Sequence, residues 1–127
     1  MNRWRNYNPN PAGRSVGDCA VRALAKATGQ DWETAYAELA KNAFQMADMP
    51  SSNGVIAATL RRHGFTREAI PNTCPDCYTI ERFAEEHPAG TYVVGTGNHV
   101  VTIQDGQIWD AWDSSQETPL FFWRRNN

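Results

Sequence analysis

His99-Val100-Val101-Thr102-Ile103-Gln104-Asp105-Gly106-Gln107-Ile108-Trp109-Asp110-Ala111-Trp112 is the stretch that sets the architecture. Two β-prone runs flank Asp105-Gly106, and an Asp-Gly dipeptide between such runs is the strongest short-range signal for a hairpin with a type I′ turn. A two-residue loop fixes the register. Gln104 faces Gln107, Ile103 faces Ile108, Val101 faces Asp110 and His99 faces Trp112. Side chains alternate along a strand, so His99, Val101 and Ile103 share a face with Ile108, Asp110 and Trp112. Asp110 then becomes the diagonal neighbour of His99, with Cβ atoms roughly 6–8 Å apart. An imidazole and a carboxylate can meet across that gap. Asp113 falls on the opposite face, and only a slip of one residue would put it in the place of Asp110.

Working outward, Thr91–Gly95 reads as the preceding strand and Leu120–Arg124 as the last one. Upstream the periodicity changes to helical. A first helix runs from about Asp18 to Thr28, with Val21, Leu24, Ala25 and Thr28 at helical spacing and Gly29 as its stop. A second opens at Asp31, and Trp32, Ala35, Tyr36, Leu39, Ala40 and Ala43 form its apolar stripe. Such a stripe is more often core than ligand groove. A third helix starts near Ser51 or Ser52 and ends before Gly64. A fourth is capped by Thr79, runs to about Glu86 and is closed by Pro88. Helices first and an antiparallel sheet second means an α+β domain. The expected division is an irregular arm over 1–17, a helical part over 18–87 and the sheet over 88–125.

At 127 residues the chain is one domain's worth, and 41% hydrophobic residues predict a packed globule rather than disorder. A formal charge of -2 argues against a dedicated nucleic-acid binder, which usually needs a basic face. Arg3, Arg5 and Arg14 beside Trp4 and Tyr7 have the composition of a nucleic-acid arm, but a solvated arm is the commoner outcome. No run approaches the roughly 20 apolar residues of a membrane helix. The first residues lack the apolar core of a secretory signal. Three cysteines without framework spacing fit a reducing compartment, so a cytoplasmic location is expected, with no membrane and no nucleic acid as partner.

Cys19 follows Gly17-Asp18 at the first turn of a helix. Unpaired N–H groups and the positive end of the helix dipole stabilise a thiolate there, and thiolate is the nucleophilic form. A lone cysteine at such a place is otherwise a small buried hydrophobe. His99 adds a base. Asp110, expected among Val101, Ile103 and Ile108 on a face packed against the helices, needs a partner, since an unpaired buried carboxylate costs several kcal/mol. His99 is the group able to supply one, and in return the carboxylate fixes the imidazole tautomer. The alternative is a purely structural His–Asp bond. Trp112, opposite His99, is placed to wall a cleft. Cys74-Pro75-Asp76-Cys77 is half a zinc site or a redox dithiol by spacing, and otherwise a plain loop. A zinc site needs two further ligands, and His63 and His87 lack pair spacing, so no cofactor is expected.

Gly17-Asp18-Cys19-Ala20-Val21-Arg22-Ala23-Leu24, with Ala27-Thr28-Gly29, resembles the nucleophile helix of papain-like cysteine peptidases. The resemblance is to the bacteriocin-processing branch and to small papain-like proteins of bacteria and phages. Gly97-Asn98-His99-Val100-Val101, Asp105-Gly106 and Trp109-Asp110-Ala111-Trp112-Asp113 resemble their histidine strand, hairpin and acidic residue, and the order Cys, His, Asp is theirs. The likeness covers about residues 15–28 and 88–125. It implies a papain-like fold, with N-terminal helices packed on a C-terminal antiparallel sheet. It also implies a thiolate–imidazolium pair of Cys19 and His99 oriented by Asp110, acting on a protein or peptide through an acyl-enzyme. Such peptidases usually carry an oxyanion-donating glutamine about six positions before the nucleophile. That position is Gly13 here, with Asn8 and Asn10 as the nearby amides and the Cys19 N–H as a partial donor. A non-catalytic relative that binds a host or partner protein is the alternative the departure leaves.

Overall fold

The computed structural model describes residues 2–71 and 78–125. The hairpin forms with the expected pairing: β4 (Val100–Gln104) runs antiparallel to β5 (Gln107–Asp110), with Ile103 opposite Ile108 and Gln104 opposite Gln107. Asp105 and Gly106 both have positive φ, 52° and 76°, as a type I′ turn requires. The strands are shorter than the sequence suggested, because His99 and Trp112 lie beyond their ends. On its other side β4 pairs with β3 (Thr91–Gly95), and β3 pairs with β6 (Phe121–Arg125).

The sheet has six strands in the order β1-β5-β4-β3-β6-β2, and two of them were not expected. Trp4–Asn6 of the arm forms β1, parallel to β5, tied by the Ile108 N–H donating to the Arg3 carbonyl at 2.9 Å. Phe65–Ala69, inside the part read as helical, forms β2 and pairs antiparallel with β6. The sheet is therefore mixed rather than antiparallel, and it draws on the whole chain. Both additions are edge strands. Of β2 only Phe65 is buried, so its sequence carries no apolar alternation, and its strand state comes from the partner it completes.

The helices appear where they were expected. They are α1 (Cys19–Thr28), α2 (Trp32–Met46), α3 (Asn53–Arg62) and α4 (Ile80–Glu86). Asp31, Ser52 and Thr79 each accept a backbone N–H three residues on. Helices α1, α2 and α3 cover one face of the sheet, where Leu24, Leu39, Val55 and Leu60 join Val93, Val100 and Trp123 in one cluster. Helix α4 covers the other face, where Ile80 and Phe83 meet Val94, Val101, Ile103, Ile108 and Phe122. The Val101, Ile103 and Ile108 face is therefore packed on α4, not on the first three helices. Thr102, on the alternate face, touches α1 through its hydroxyl, which donates to the Ala23 carbonyl at 2.7 Å.

The stripe of α2 is rotated from the expected one. Ala35, Leu39 and Ala43 are buried as predicted, but Tyr36 is exposed and Asn42 is buried in its stead. Asn42 is accommodated because its amide donates to Thr59 Oγ1 at 2.7 Å and its carbonyl accepts from Arg62 at 2.7 Å.

Candidate active site

Three elements end at one place. Helix α1 begins with Cys19, the β3–β4 turn ends with His99, and β5 ends with Asp110. The turn is built by Gly97-Asn98, with Gly97 at φ 103° and the Thr96 N–H donating to the His99 carbonyl at 2.9 Å. A positive φ at the first central residue is the type II′ arrangement, which glycine supplies without strain. It delivers His99 just before β4, where pleat alternation no longer fixes its direction.

The Cys19 thiol, which is not in a disulfide, lies near His99 and the Val100 backbone N–H, and both act on its ionisation. His99 Nε2 lies 2.7 Å from Asp110 Oδ2. With Nε2 engaged by the carboxylate, Nδ1 is the nitrogen left for sulfur. The hairpin register thus correctly selects Asp110, not Asp113, as the carboxylate partner. Its geometry differs from the expected one. Strict alternation would send both side chains to the α4 face. At the strand end, however, the Asp110 carboxylate turns along the chain, accepts the Ala111 N–H at 2.8 Å and meets α1.

What meets it there is Arg22, which the sequence reading did not single out. Its Nη2 donates to Asp110 Oδ1 at 2.9 Å, its Nη1 to Asp18 Oδ1, and the side chain is only 7% exposed. Ser114 donates to Asp110 Oδ2 at 2.7 Å. The Asp110 side chain, 1% exposed, therefore has four partners, and each of its oxygens faces one cation. The Asp18–Arg22 pair at i, i+4 is visible in the sequence and is the signal that was there to find. That Arg22 also reaches Asp110, 88 residues away, is not visible.

Asp18 stands at the N-cap position but does not cap. Its carboxylate accepts from Arg22 and from Trp32 Nε1, the latter at 2.9 Å, and makes no bond to the α1 backbone. The N–H groups of the first turn are thus left open to the site.

The charges follow from these contacts. Burial pushes the Cys19 thiol up, but the His99 and Val100 hydrogen bonds and the charges of His99 and Arg22 outweigh it, so its pKa is lowered. Burial pulls His99 down, but its bonds to Asp110 and Cys19 dominate and raise it to about 9. For Asp110, burial raises the pKa and is overcome by His99, Ser114 and the Arg22 charge, leaving it below its usual range. All three directions favour a thiolate beside an imidazolium beside a carboxylate.

The other expected residues fall as follows. Trp112 packs its ring 4.8 Å from that of His99 and stays 44% exposed. Asn8 donates to the Arg14 carbonyl, and its carbonyl oxygen accepts the Asn10 N–H. Asn10 accepts the Ala12 and Arg14 N–H groups. Both side chains thus brace the arm's own loop. Gly13 sits in that loop at φ 67°, its N–H donating to the Asn10 carbonyl at 2.9 Å. Cys74 and Cys77 lie outside the described residues. Among the described residues no three His, Cys, Asp or Glu side chains are grouped to hold a metal ion, and no helix is long and apolar enough to cross a membrane.

Comparison of the chain with family models, with curated proteins and with solved structures returns no match.

Proposed function

We propose that the chain is a cysteine peptidase or closely related amide hydrolase of papain-like fold, acting in the cytoplasm on a protein or peptide. The observation that carries this reading is the contact chain Cys19–His99–Asp110, drawn from three distant segments and held by Arg22 and Ser114. The resemblance of residues 17–29 and 97–113 to papain-like peptidases supports it.

In this reading the Cys19 thiolate attacks the amide carbonyl carbon, forming an S–C bond and an oxyanion. The Cys19 N–H, which at the first position of α1 has no acceptor within the helix, donates to that oxyanion. The C–N bond then breaks as imidazolium Nδ1–H protonates the leaving amine. Neutral His99 next takes a proton from water, whose oxygen attacks the thioester. Collapse returns the thiolate and releases the acid. Asp110 holds the ring by Nε2 throughout.

The test is Cys19→Ala together with a pH series of iodoacetamide labelling, read at Cys19 by peptide mass spectrometry. Native Cys19 should label well below the free-thiol pKa of about 8.5, and hydrolysis should vanish in the variant. An activity that survives Cys19→Ala sinks the assignment. A second reading, a non-catalytic module that binds a partner protein, is favoured by one feature. Gly13 stands in place of the usual glutamine donor, and the Asn8 amide group donates to the Arg14 carbonyl within the arm. A Cys19 that labels only near pH 8.5 and above decides for that reading.

A further inference from the structure

Phe44 is 88% exposed, more than any other large hydrophobic side chain described, although it sits within a regular helix. An aromatic ring left in water is a cost unless something covers it. Tyr36 and Ala40 stand two turns and one turn before it, so positions 36, 40 and 44 form one row on the outer side of α2. Ala37 and Ala40 are small, which lets another helix approach this row closely. At the N-terminal end of the row a cleft of about 260 Å³ opens, lined by Val16, Val21, Trp32, Tyr36 and Pro50 among others. The Trp32 and Tyr36 rings stack 5.1 Å apart at 21° and form one flat side. Asp18 also borders the cleft, but Arg22 and Trp32 hold its carboxylate, so it presents no unpaired charge. The space is small for a whole ligand and enough for one aromatic side chain.

One helix therefore carries a projecting ring and an apolar hole two turns apart. We propose that a second copy of this chain docks on α2 as a two-fold dimer, with Phe44 of each copy seated in the cleft of the other. A two-fold interface requires one surface to hold both halves of the contact, whereas an unrelated partner needs only one of them. Crossing at about 50° aligns the 36–40–44 row with the same row reversed, so the Phe44 end of one copy meets the Tyr36 end of the other. The adjacent row has Glu33 and Lys41 at its ends, one turn either side of Ala37. Reversal brings acid toward base, so charge favours the same antiparallel register. Phe44, Tyr36, Val16 and Met49, the last beside Pro50, expose roughly 500 Å² of mostly apolar surface on each copy. A pair would cover about 1,000 Å², the lower end for a specific interface, which corresponds to a dissociation constant on the order of 10–100 μM. The dimer is independent of the amide-hydrolase reading.

The experiment is sedimentation equilibrium over about 5–500 μM protein, a span that brackets the expected dissociation constant. The native mass should climb from 14.3 kDa toward twice that value. Phe44→Glu should stay monomeric at every concentration, with an unchanged urea midpoint because the side chain lies almost wholly in water. Val16→Lys puts a charge into the cleft while keeping Phe44, and it should stay monomeric too. Mixed together, the two variants should form a heterodimer. The intact ring of the second fits the intact cleft of the first, and the introduced acid faces the introduced base. A native chain still at 14.3 kDa at the top concentration overturns the dimer. So does assembly that Phe44→Glu leaves intact, or that grows past two copies. A mixture of the two variants that remains monomeric overturns the reciprocal insertion.

Discussion

Arg22 is the residue on which the site's electrostatics depend. It bridges two buried carboxylates, Asp18 and Asp110, from a single fork of N–H groups. Removing one member of a buried ion pair costs more than the pair contributes, because an unpaired charge is left behind. Arg22→Met should therefore lower stability to urea by about 3–5 kcal/mol. Where the fold persists, the acid limb of Cys19 alkylation should move to higher pH, as the Arg22 charge that lowers the thiol pKa is gone. Arg22→Lys restores a charge but not two divergent donors, so it should recover the alkylation profile better than the stability. A methionine variant with unchanged stability and unchanged alkylation would show that Arg22 does neither task.

At the scale of elements, the site depends on how tightly β3, β4 and β6 are packed beside the Gly97-Asn98 turn. Gly95 pairs with both Val100 and Phe121, and the Phe121 ring lies over it so closely that a Cβ would come within 2.2 Å of a ring carbon. The ring is itself buried, edge-on to Trp123, with little room to retreat. Gly95→Ala should thus destabilise by about 1–3 kcal/mol through overpacking. It should also slow Cys19 alkylation near pH 7, because the strand end it displaces carries His99. Adding Phe121→Leu should return part of the loss in both measurements. If Gly95→Ala unfolds at the native urea midpoint, the close approach is not as tight as the geometry requires.

For the whole molecule, the linked ionisations set how stability varies with pH. The raised pKa of His99 alone would give a contribution fully present below its ordinary 6.5 and lost as pH climbs through about 9. The lowered pKa of Cys19 works the other way, adding stability as pH rises toward the free thiol's ordinary pKa. Where the folded pair holds its proton on the imidazole and the unfolded pair holds it on the thiol, the proton counts match and the pair gives almost no slope. In Cys19→Ala the opposing half is absent, while Asp110 still raises His99. Its stability to urea should fall as pH rises above 6.5 relative to the native protein, by up to about 1.4 kcal/mol per pH unit. Parallel curves for the two proteins would mean that no ion pair exists.

The sequence by itself determined the hairpin and its register, because Asp105-Gly106 fits one turn type and the turn length fixes each pair. It determined three helix starts, because Asp31, Ser52 and Thr79 are local caps, and the α1 stop, because Gly29 is a local αL residue. It also paired His99 with Asp110, since they are neighbours across that hairpin. Tertiary structure decided the rest. Trp4–Asn6 and Phe65–Ala69 are strands only because β5 and β6 offer free edges. Arg22 reaches Asp110 only because α1 lies against β4 and β5. Asp18, a local N-cap by type, is withheld from capping by Arg22 and Trp32. In each of these cases the deciding partner is remote in the chain, and no local preference encodes a remote partner.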